Sequence, residues 1–486
     1  MSDRGPQTDI AIVGMACIVP GAPDPCAFWQ NIVDGRDMVS DPPPDWGGEP
    51  WYDPDSEAND RIYCKRGGYL GELATFDPLR YGIMPNTVDG AEPEHFLALK
   101  VAHAALADAG VPDLPLNRER TEVILGRGTF VNRGYTSLHQ HGLFIDQFLQ
   151  LLRQLFPEYD RQRLQQIREH LKAQLPPFNA QIAPGLVSTI MTGRVANRLD
   201  LKGCNFSVDA ACASSLIAVE QGAQHLATGQ CDAVIAGGVQ LSTDQLILMV
   251  FSQLGALSRT GTIRPFAADA NGTLLGEGLG MVVLKRLADA ERDGNRIYAV
   301  LKGVASASDG RGRSVVAPRV EGEALALRRA YEKTGIDPAT IGLIEAHGTA
   351  MPLGDATEIQ GLTTLFGTRR GPVPTCALGS VKSMIAHLIP AAGIAALIKT
   401  ALALYHRTLP PSLHCERPNP ALELDKTPFY INTATRPWIH GAATPRRAGV
   451  NAFGFGGINA HAILEEYGQE GETSLHRVWP TELCVL

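Results

Sequence analysis

Apolar runs and amphipathic stretches alternate along the chain in an order that reads strand, helix, strand. Residues 8–14 form a short apolar run closed by Gly14, as a buried strand does, and in residues 25–33 Phe28, Trp29, Ile32 and Val33 fall on one helical side. Pro, Gly, Asp and Trp crowd residues 42–55, which predicts an irregular surface excursion, and residues 91–109 then resume a helix that Gly110 stops. Residues 142–174 differ from their surroundings. Phe144, Phe148, Leu151, Leu152 and Leu155 recur there at helical spacing and a charged, Gln-rich stretch follows, which predicts a helical insertion.

A strand at 204–210, a helix at 213–228 and a strand at 233–238 give βαβ order, and with it a parallel sheet is expected. A second series starts after the apolar run at 278–284: strand 296–306, helix 321–334, strand 341–346, strand 375–381, helix 390–405, and closing strands at 448–453 and 460–465. Two αβ series in tandem are therefore the coarse pattern. At 486 residues the chain exceeds what one hydrophobic core usually holds, which also favours two core-forming halves. The division expected is an N-terminal half, 1–290, with the insertion at about 142–174, and a C-terminal half, 291–466. Residues 467–486 read as the start of a linker towards a following domain, ending in a strand-like run after Trp479.

Composition narrows the function classes. The chain is 44% hydrophobic and 19% charged with 50 glycines, as a soluble α/β enzyme is. Its net charge of -8 offers no global attraction to nucleic acid, and no apolar stretch reaches the length of a membrane span. Nine cysteines without CxxC pairs, and no leader-like segment before Asp9, fit a reducing cytoplasm.

Three residues then stand out by position. In Phe206-Ser-Val-Asp-Ala-Ala-Cys-Ala-Ser-Ser-Leu, an extended run passes through small residues into a helix, which puts Cys212 at a helix N-terminus, where unpaired N–H groups favour a thiolate. The logic is that of a nucleophile elbow, with small neighbours leaving room for a substrate. His347 follows the strand Ile341-Gly-Leu-Ile-Glu, and His387 follows another strand at the entrance to an Ala-rich helix. Ligands of αβ sheets bind at such carboxyl ends. A thiolate that accepts an acyl group, with imidazole N–H donors aimed at a developing enolate oxygen, would serve decarboxylative condensation of thioesters; losing one such donor typically costs about 10²–10³ in rate. The Gly-rich turn in Asn451-Ala-Phe-Gly-Phe-Gly-Gly-Ile-Asn-Ala-His can bring further backbone N–H groups close, and it matches no phosphate-loop pattern.

These residues resemble the β-ketoacyl synthase family, specifically the ketosynthase domains of type I polyketide and fatty-acid synthases. The resemblance runs from Ile10-Ala-Ile-Val-Gly-Met-Ala-Cys through Asp209-Ala-Ala-Cys-Ala-Ser-Ser-Leu, Arg264-Pro-Phe, Gly276-Glu-Gly, Glu345-Ala-His-Gly-Thr and Gly379-Ser-Val-Lys-Ser to the Asn451 motif. It implies an α/β thiolase-type fold of two pseudo-repeated halves in an αβαβα layered arrangement, usually a homodimer. It also implies an acyltransferase that performs a decarboxylative Claisen condensation between an acyl group on Cys212 and a malonyl-type unit.

Residue by residue, the resemblance makes Cys212 the nucleophile and His347 and His387 the polarising pair. Lys382 would hold their environment with Glu358 as its charge partner, and Asp355 lies in the same motif. The N–H groups of Cys212 and Phe455 would form the oxyanion hole, with the Phe455 ring as a gate, and Thr349 would bind the phosphopantetheine arm. No metal and no cofactor bound by the chain itself is implied. The partners would be an acyl carrier protein that presents substrates on phosphopantetheine and an adjacent acyltransferase domain, with no nucleic acid and no membrane.

Three departures qualify the pattern. Met351 stands where the family often has a second Thr, Met384 and Ala386 stand where Asn and Gly are usual, and Asp-Ala-Ala-Cys-Ala with Tyr63-Cys-Lys-Arg-Gly-Gly resembles the iterative polyketide, enediyne and polyunsaturated fatty-acid synthase branch. A decarboxylase-only or non-elongating domain is the alternative. A non-catalytic, chain-length-setting role is disfavoured by the presence of Cys212, and a thiolase by the contexts of Cys376 and Cys415. The insertion could serve the dimer interface or the acyl pocket.

Overall fold

The nine residues Ile10–Ile18 are all buried and form the first strand, β1. A run without polar alternation suits a strand covered on both faces. The computed structural model describes residues 8–88, 91–128, 132–176, 178–312, 314–441 and 443–468, so most of the expected linker, with Trp479, lies outside the described residues. The remaining strands are β2 (Thr121–Arg127), β3 (Asn205–Val208), β4 (Ala233–Gln240), β5 (Gly278–Arg286), β6 (Ala299–Ser308), β7 (Ile341–Glu345), β8 (Cys376–Gly379), β9 (Thr408–Leu409), β10 (Phe429–Ile431), β11 (Arg436–Pro437), β12 (Arg447–Gly454) and β13 (Ile458–Glu465).

Eleven of them form one sheet in the order β10-β8-β7-β12-β13-β6-β1-β5-β4-β2-β3, while β9 and β11 pair separately. The order is a near-palindrome about the β6–β1 junction. On one side β1 and β5 pair antiparallel, β5 and β4 antiparallel, β4 and β2 parallel, β2 and β3 parallel. On the other, β6, β13, β12, β7 and β8 repeat that sequence of directions. Within the sheet, β1 and β6 join the halves, with Ile10, Ala11 and Ile12 against Leu301, Val300 and Ala299. The expected pair of pseudo-repeated halves is thus present, but the sheet is mixed rather than parallel. The βαβ unit is real, yet β2 sits between its strands, and hairpin-like returns bring in the antiparallel neighbours.

Two helices fill the middle layer. Ser214–Ala227 and Ala392–Tyr405 pack on each other and touch strands of both halves, and every residue of 392–404 is buried. Small residues make this possible: a Cβ on Gly393 would lie 2.9 Å from both Leu216 Cγ and Ser215 Oγ. Pro93–Asp108 and Thr189–Arg198 cover the outer face of the first half, and Val320–Thr334 with Pro352–Phe366 cover that of the second. The layers therefore run αβαβα.

The insertion is helical, as expected, and carries a small core of its own built on Ile145, Leu149 and Leu164 from the helices Ile145–Leu155 and Arg161–Ala173. Of the apolar side chains that mark it in sequence, only Leu152 joins that core. Phe144, Leu151 and Leu155 are 58%, 49% and 62% exposed, forming an outward apolar stripe. Its base is fastened where the Gly134 N–H donates to Glu92 at 2.7 Å and Asn132 donates to the Gly185 carbonyl at 2.9 Å.

Candidate active site

Cys212 sits in the turn between β3 and the helix Ser214–Ala227. The turn is tightly specified. Ala211 adopts φ +48, a left-handed conformation that costs an alanine strain. Its N–H donates to Asp209 at 3.0 Å, while the Ser214 hydroxyl accepts the Ala210 N–H at 2.8 Å and donates to the Ala211 carbonyl at 2.6 Å. Gly454 completes the fit, because a Cβ there would lie 2.5 Å from the Ala210 carbonyl oxygen. The Gly-rich turn between β12 and β13 is thereby pressed against the cysteine turn.

The sulfur is buried in an apolar cluster with Ile247, Leu248, Leu275, Ala350, Ala386 and Ile389. His387 Nε2 lies 3.1 Å from Cys212 Sγ. The His347 ring stands edge-on to that of His387, with centroids 5.4 Å apart. The three side chains singled out by position are thus brought together. They come from loops after β3, β7 and β8, and the near-palindrome makes the β3 and β8 loops counterparts.

Electrostatics modifies one expectation. The N–H groups of Phe455 and of Cys212 itself reach the sulfur, and Lys382 is close, all favouring the thiolate; burial outweighs them and pushes the thiol up to about 11. Burial and then Lys382 hold both histidines well below their ordinary range, with His387 adding to the effect on His347, so both rings are neutral near pH 7. Lys382, 1% exposed, is itself lowered by burial, against the attraction of Glu345, Glu358 and Cys212.

Glu358, expected as the charge partner of Lys382, acts on it without closing to a direct ion pair. It attracts Lys382 through space, but its oxygens accept the His347 N–H at 2.7 Å, the Gly348 N–H at 2.8 Å and the Asn451 side-chain amide at 2.8 Å. A carboxylate surrounded by donors in this way clamps the turn carrying His347. Asp355 holds the next stretch, accepting the Phe266 N–H at 2.7 Å and the Ala350 N–H at 3.2 Å, and burial pushes its carboxyl up to about 7.

Thr349 is partly buried beside that clamp, and Phe455 is 56% exposed at the turn between β12 and β13. Met384 packs in the main core with Val381 and Ile385. Ala386, immediately before His387, adopts φ 64, ψ -174, a conformation essentially reserved for glycine.

Sequence reasoning passed over Glu345, Lys399 and His461. Glu345 and Lys399 form a fully buried ion pair, and Glu345 is the foremost attraction on Lys382. Lys399 is the one charged residue in a mainly apolar helix, the signal that could have marked it. Among the described residues no group of three or more His, Cys, Asp or Glu could hold a metal ion, and no helix is long and apolar enough to cross a membrane.

Family models agree with this architecture. "Beta-ketoacyl synthase, N-terminal domain" matches residues 7–290, "Beta-ketoacyl synthase, C-terminal domain" 298–416 and "Ketoacyl-synthetase C-terminal extension" 418–482. A thiolase-type fold with a cysteine and two neutral histidines at its strand ends defines a condensing enzyme, and the chain belongs to the β-ketoacyl synthase family. It is a ketosynthase domain of the polyketide-synthase type, an acyl-transferring enzyme.

The chain is 38% identical over 95% of its length to a polyunsaturated fatty acid synthase of Thraustochytrium sp., and 38% identical over 96% to polyketide synthase PksN of Bacillus subtilis. It spans only 16% and 8% of those relatives. Among solved structures, an oxazolomycin ketosynthase domain of Streptomyces albus is similar with TM-score 0.81 and 34% identity, covering 95% of this chain and 74% of that one. The ketosynthase from module 6 of the bacillaene synthase of Bacillus subtilis is similar with TM-score 0.79 and 33% identity, covering 95% and 72%.

Proposed function

We propose that Cys212 carries the growing acyl group and that His347 and His387 drive decarboxylation of a malonyl-type thioester presented on the phosphopantetheine arm of an acyl carrier protein. The observation that carries this reading is the 3.1 Å approach of His387 Nε2 to Cys212 Sγ, with the second neutral imidazole beside it. The half 1–290 supplies the nucleophile and 291–466 both histidines. In the first step the sulfur attacks the acyl thioester, the N–H groups of Cys212 and Phe455 hold the tetrahedral oxyanion, and the cysteine proton ends on the departing arm thiol. In the second, the malonyl unit loses CO₂ and its thioester oxygen takes enolate charge, stabilised by the imidazole N–H donors. The enolate carbon then attacks the Cys212 thioester, giving a β-ketoacyl thioester and, after protonation, the free thiol.

Burial, and then the Lys382 charge, keeps both histidines neutral, so that each ring offers one N–H donor and carries no positive charge. Glu358 fixes the His347 turn, the Phe455 ring gates the entrance, and Thr349 meets the arm. The chain would work as one domain of a larger synthase, beside an acyltransferase domain; the length of the relatives supports the larger synthase. Homodimerisation would cover the outward stripe of the insertion.

Incubation with hexanoyl-pantetheine tests the nucleophile. Intact-mass measurement should show one hexanoyl adduct that maps to the Cys212 peptide and disappears in Cys212→Ala. An adduct that persists in that variant would overturn the assignment.

A further inference from the structure

His461 lies on β13 directly opposite Asn451 on β12, and a chain of hydrogen bonds leads from it to the active site. His461 Nδ1 is 2.6 Å from Asn451 Oδ1; the Asn451 amide donates to Glu358 Oε1 at 2.8 Å; the same oxygen accepts the His347 N–H at 2.7 Å, and Oε2 accepts the Gly348 N–H at 2.8 Å. The directions are fixed by chemistry. The Glu358 oxygen facing Asn451 also accepts the His347 N–H, so Asn451 turns its NH₂ towards it and its oxygen towards His461, which must then donate from Nδ1–H.

The surroundings are shaped for this ring. His461 is fully buried, and burial holds it down to about 3, so it stays neutral at working pH. Gly449 makes room, since a Cβ there would lie 2.7 Å from His461 Cε1, and the Tyr331 ring stacks on the imidazole at 5.4 Å between centroids. Among the described residues His461 Nε2 has no hydrogen-bond partner, so one buried polar atom stays unsatisfied while its Nδ1–H serves the relay. Glu323, next to Gly361, lies near Glu358; burial and then the Glu358 charge raise its carboxyl well above the usual range, while burial raises Glu358 as well, against the N–H donors and Lys382 that favour its charged form.

We propose that His461 is a positioning residue for decarboxylation: through Asn451 and Glu358 it fixes the backbone turn that aims the His347 ring. The relay meets His347 and Gly348 through their main chain, and Gly348 adopts φ 36 with no room for a Cβ, 2.8 Å from Ser380 Cβ. A slack carboxylate would let that turn rotate and carry the imidazole off its line. Cys212 and its oxyanion donors stand outside the relay. The proposal rests on the reading of His347 as a decarboxylation residue.

Two half-reactions separate the possibilities: CO₂ release from malonyl-pantetheine, and acylation of Cys212 by hexanoyl-pantetheine. His461→Leu, which removes the donor, should lower kcat for CO₂ release about tenfold with KM little changed, as a small misplacement does, and leave acylation within about twofold. His461→Asn, which keeps an N–H donor at the δ position, should restore most of the loss. Asn451→Ser cuts the relay one link closer to His347 and carries the same expectation if the Leu variant is insoluble. Equal losses in both half-reactions, or unchanged CO₂ release in a folded variant, would overturn the relay. His347→Ala run in parallel keeps the two claims apart. If it leaves CO₂ release intact, the reading of His347 fails; if it abolishes CO₂ release and neither relay variant moves it, the relay alone fails.

Discussion

Lys399 and Glu345 form an ion pair of 2.6 Å in which neither side chain is more than 1% exposed. The other Glu345 oxygen accepts the Val381 N–H at 2.6 Å, so the pair ties the central helix Ala392–Tyr405 to the turn bearing Lys382. Removing one partner of such a pair leaves an uncompensated buried charge and typically costs about 3–5 kcal/mol, whereas replacing both is often close to neutral. Lys399→Met should therefore lower the unfolding free energy in urea by about 3–5 kcal/mol, and adding Glu345→Gln should recover most of it. If the double variant is no better than the single, the loss is one of packing and not of charge.

Ala386 carries the conformational cost of placing His387. Its φ and ψ of 64 and -174 are open to glycine, and strain of this kind is worth about 1–3 kcal/mol, partly offset by the greater freedom of glycine in the unfolded chain. Ala386→Gly is expected to raise the unfolding free energy by about 1 kcal/mol while keeping His387 in place. Ala386→Val, whose branched side chain cannot relax there, should lower both stability and CO₂ release. A destabilised glycine variant would mean that the methyl packing outweighs the strain.

The state of the Cys212 thiol can be read from its pH dependence. Burial pushes it up to about 11, so near neutral pH it is protonated and the thiolate fraction grows tenfold for each pH unit gained below that value. Alkylation of Cys212 by iodoacetamide should accordingly rise about tenfold per pH unit between about pH 7 and 10 without levelling off. A plateau beginning near neutrality would show that Lys382 and the N–H groups outweigh burial.

The outward stripe of the insertion gives a test of assembly. Phe144, Leu151 and Leu155 are largely exposed, and contiguous apolar surface of this sort marks an interface. Light scattering should find a dimer for the unaltered chain and a folded monomer for Leu151→Glu combined with Leu155→Glu. A dimer that survives both substitutions would place the interface elsewhere.

Cys212, His347 and His387 are legible in the sequence because each stands in the segment that follows a strand, and strand ends are where αβ sheets expose chemistry. Their mutual arrangement is not legible: only the sheet order shows that the β3 and β8 loops correspond, making Cys212 the counterpart of His387. The mixed sheet escapes a reading of βαβ order, since β5 and β1, which bring the antiparallel pairings next to β4, lie outside that unit. The insertion stripe is visible as a period, but which side of a helix faces its neighbour depends on that neighbour. Glu345, Lys399, Asn451 and His461 act through partners distant in sequence, and burial, which reverses the expected preference of the thiol, is a property of the packed whole.

Carrier mass after a single turnover tests the central claim most directly. Protein preloaded with hexanoate on Cys212 is mixed with malonyl-loaded acyl carrier protein, and the carrier is then weighed intact. A condensing ketosynthase transfers the hexanoyl group from Cys212 to the carrier as CO₂ leaves, giving 3-oxooctanoyl-carrier and a free thiol. Acetyl-carrier with the hexanoyl group still on Cys212 would contradict condensation and leave a decarboxylase.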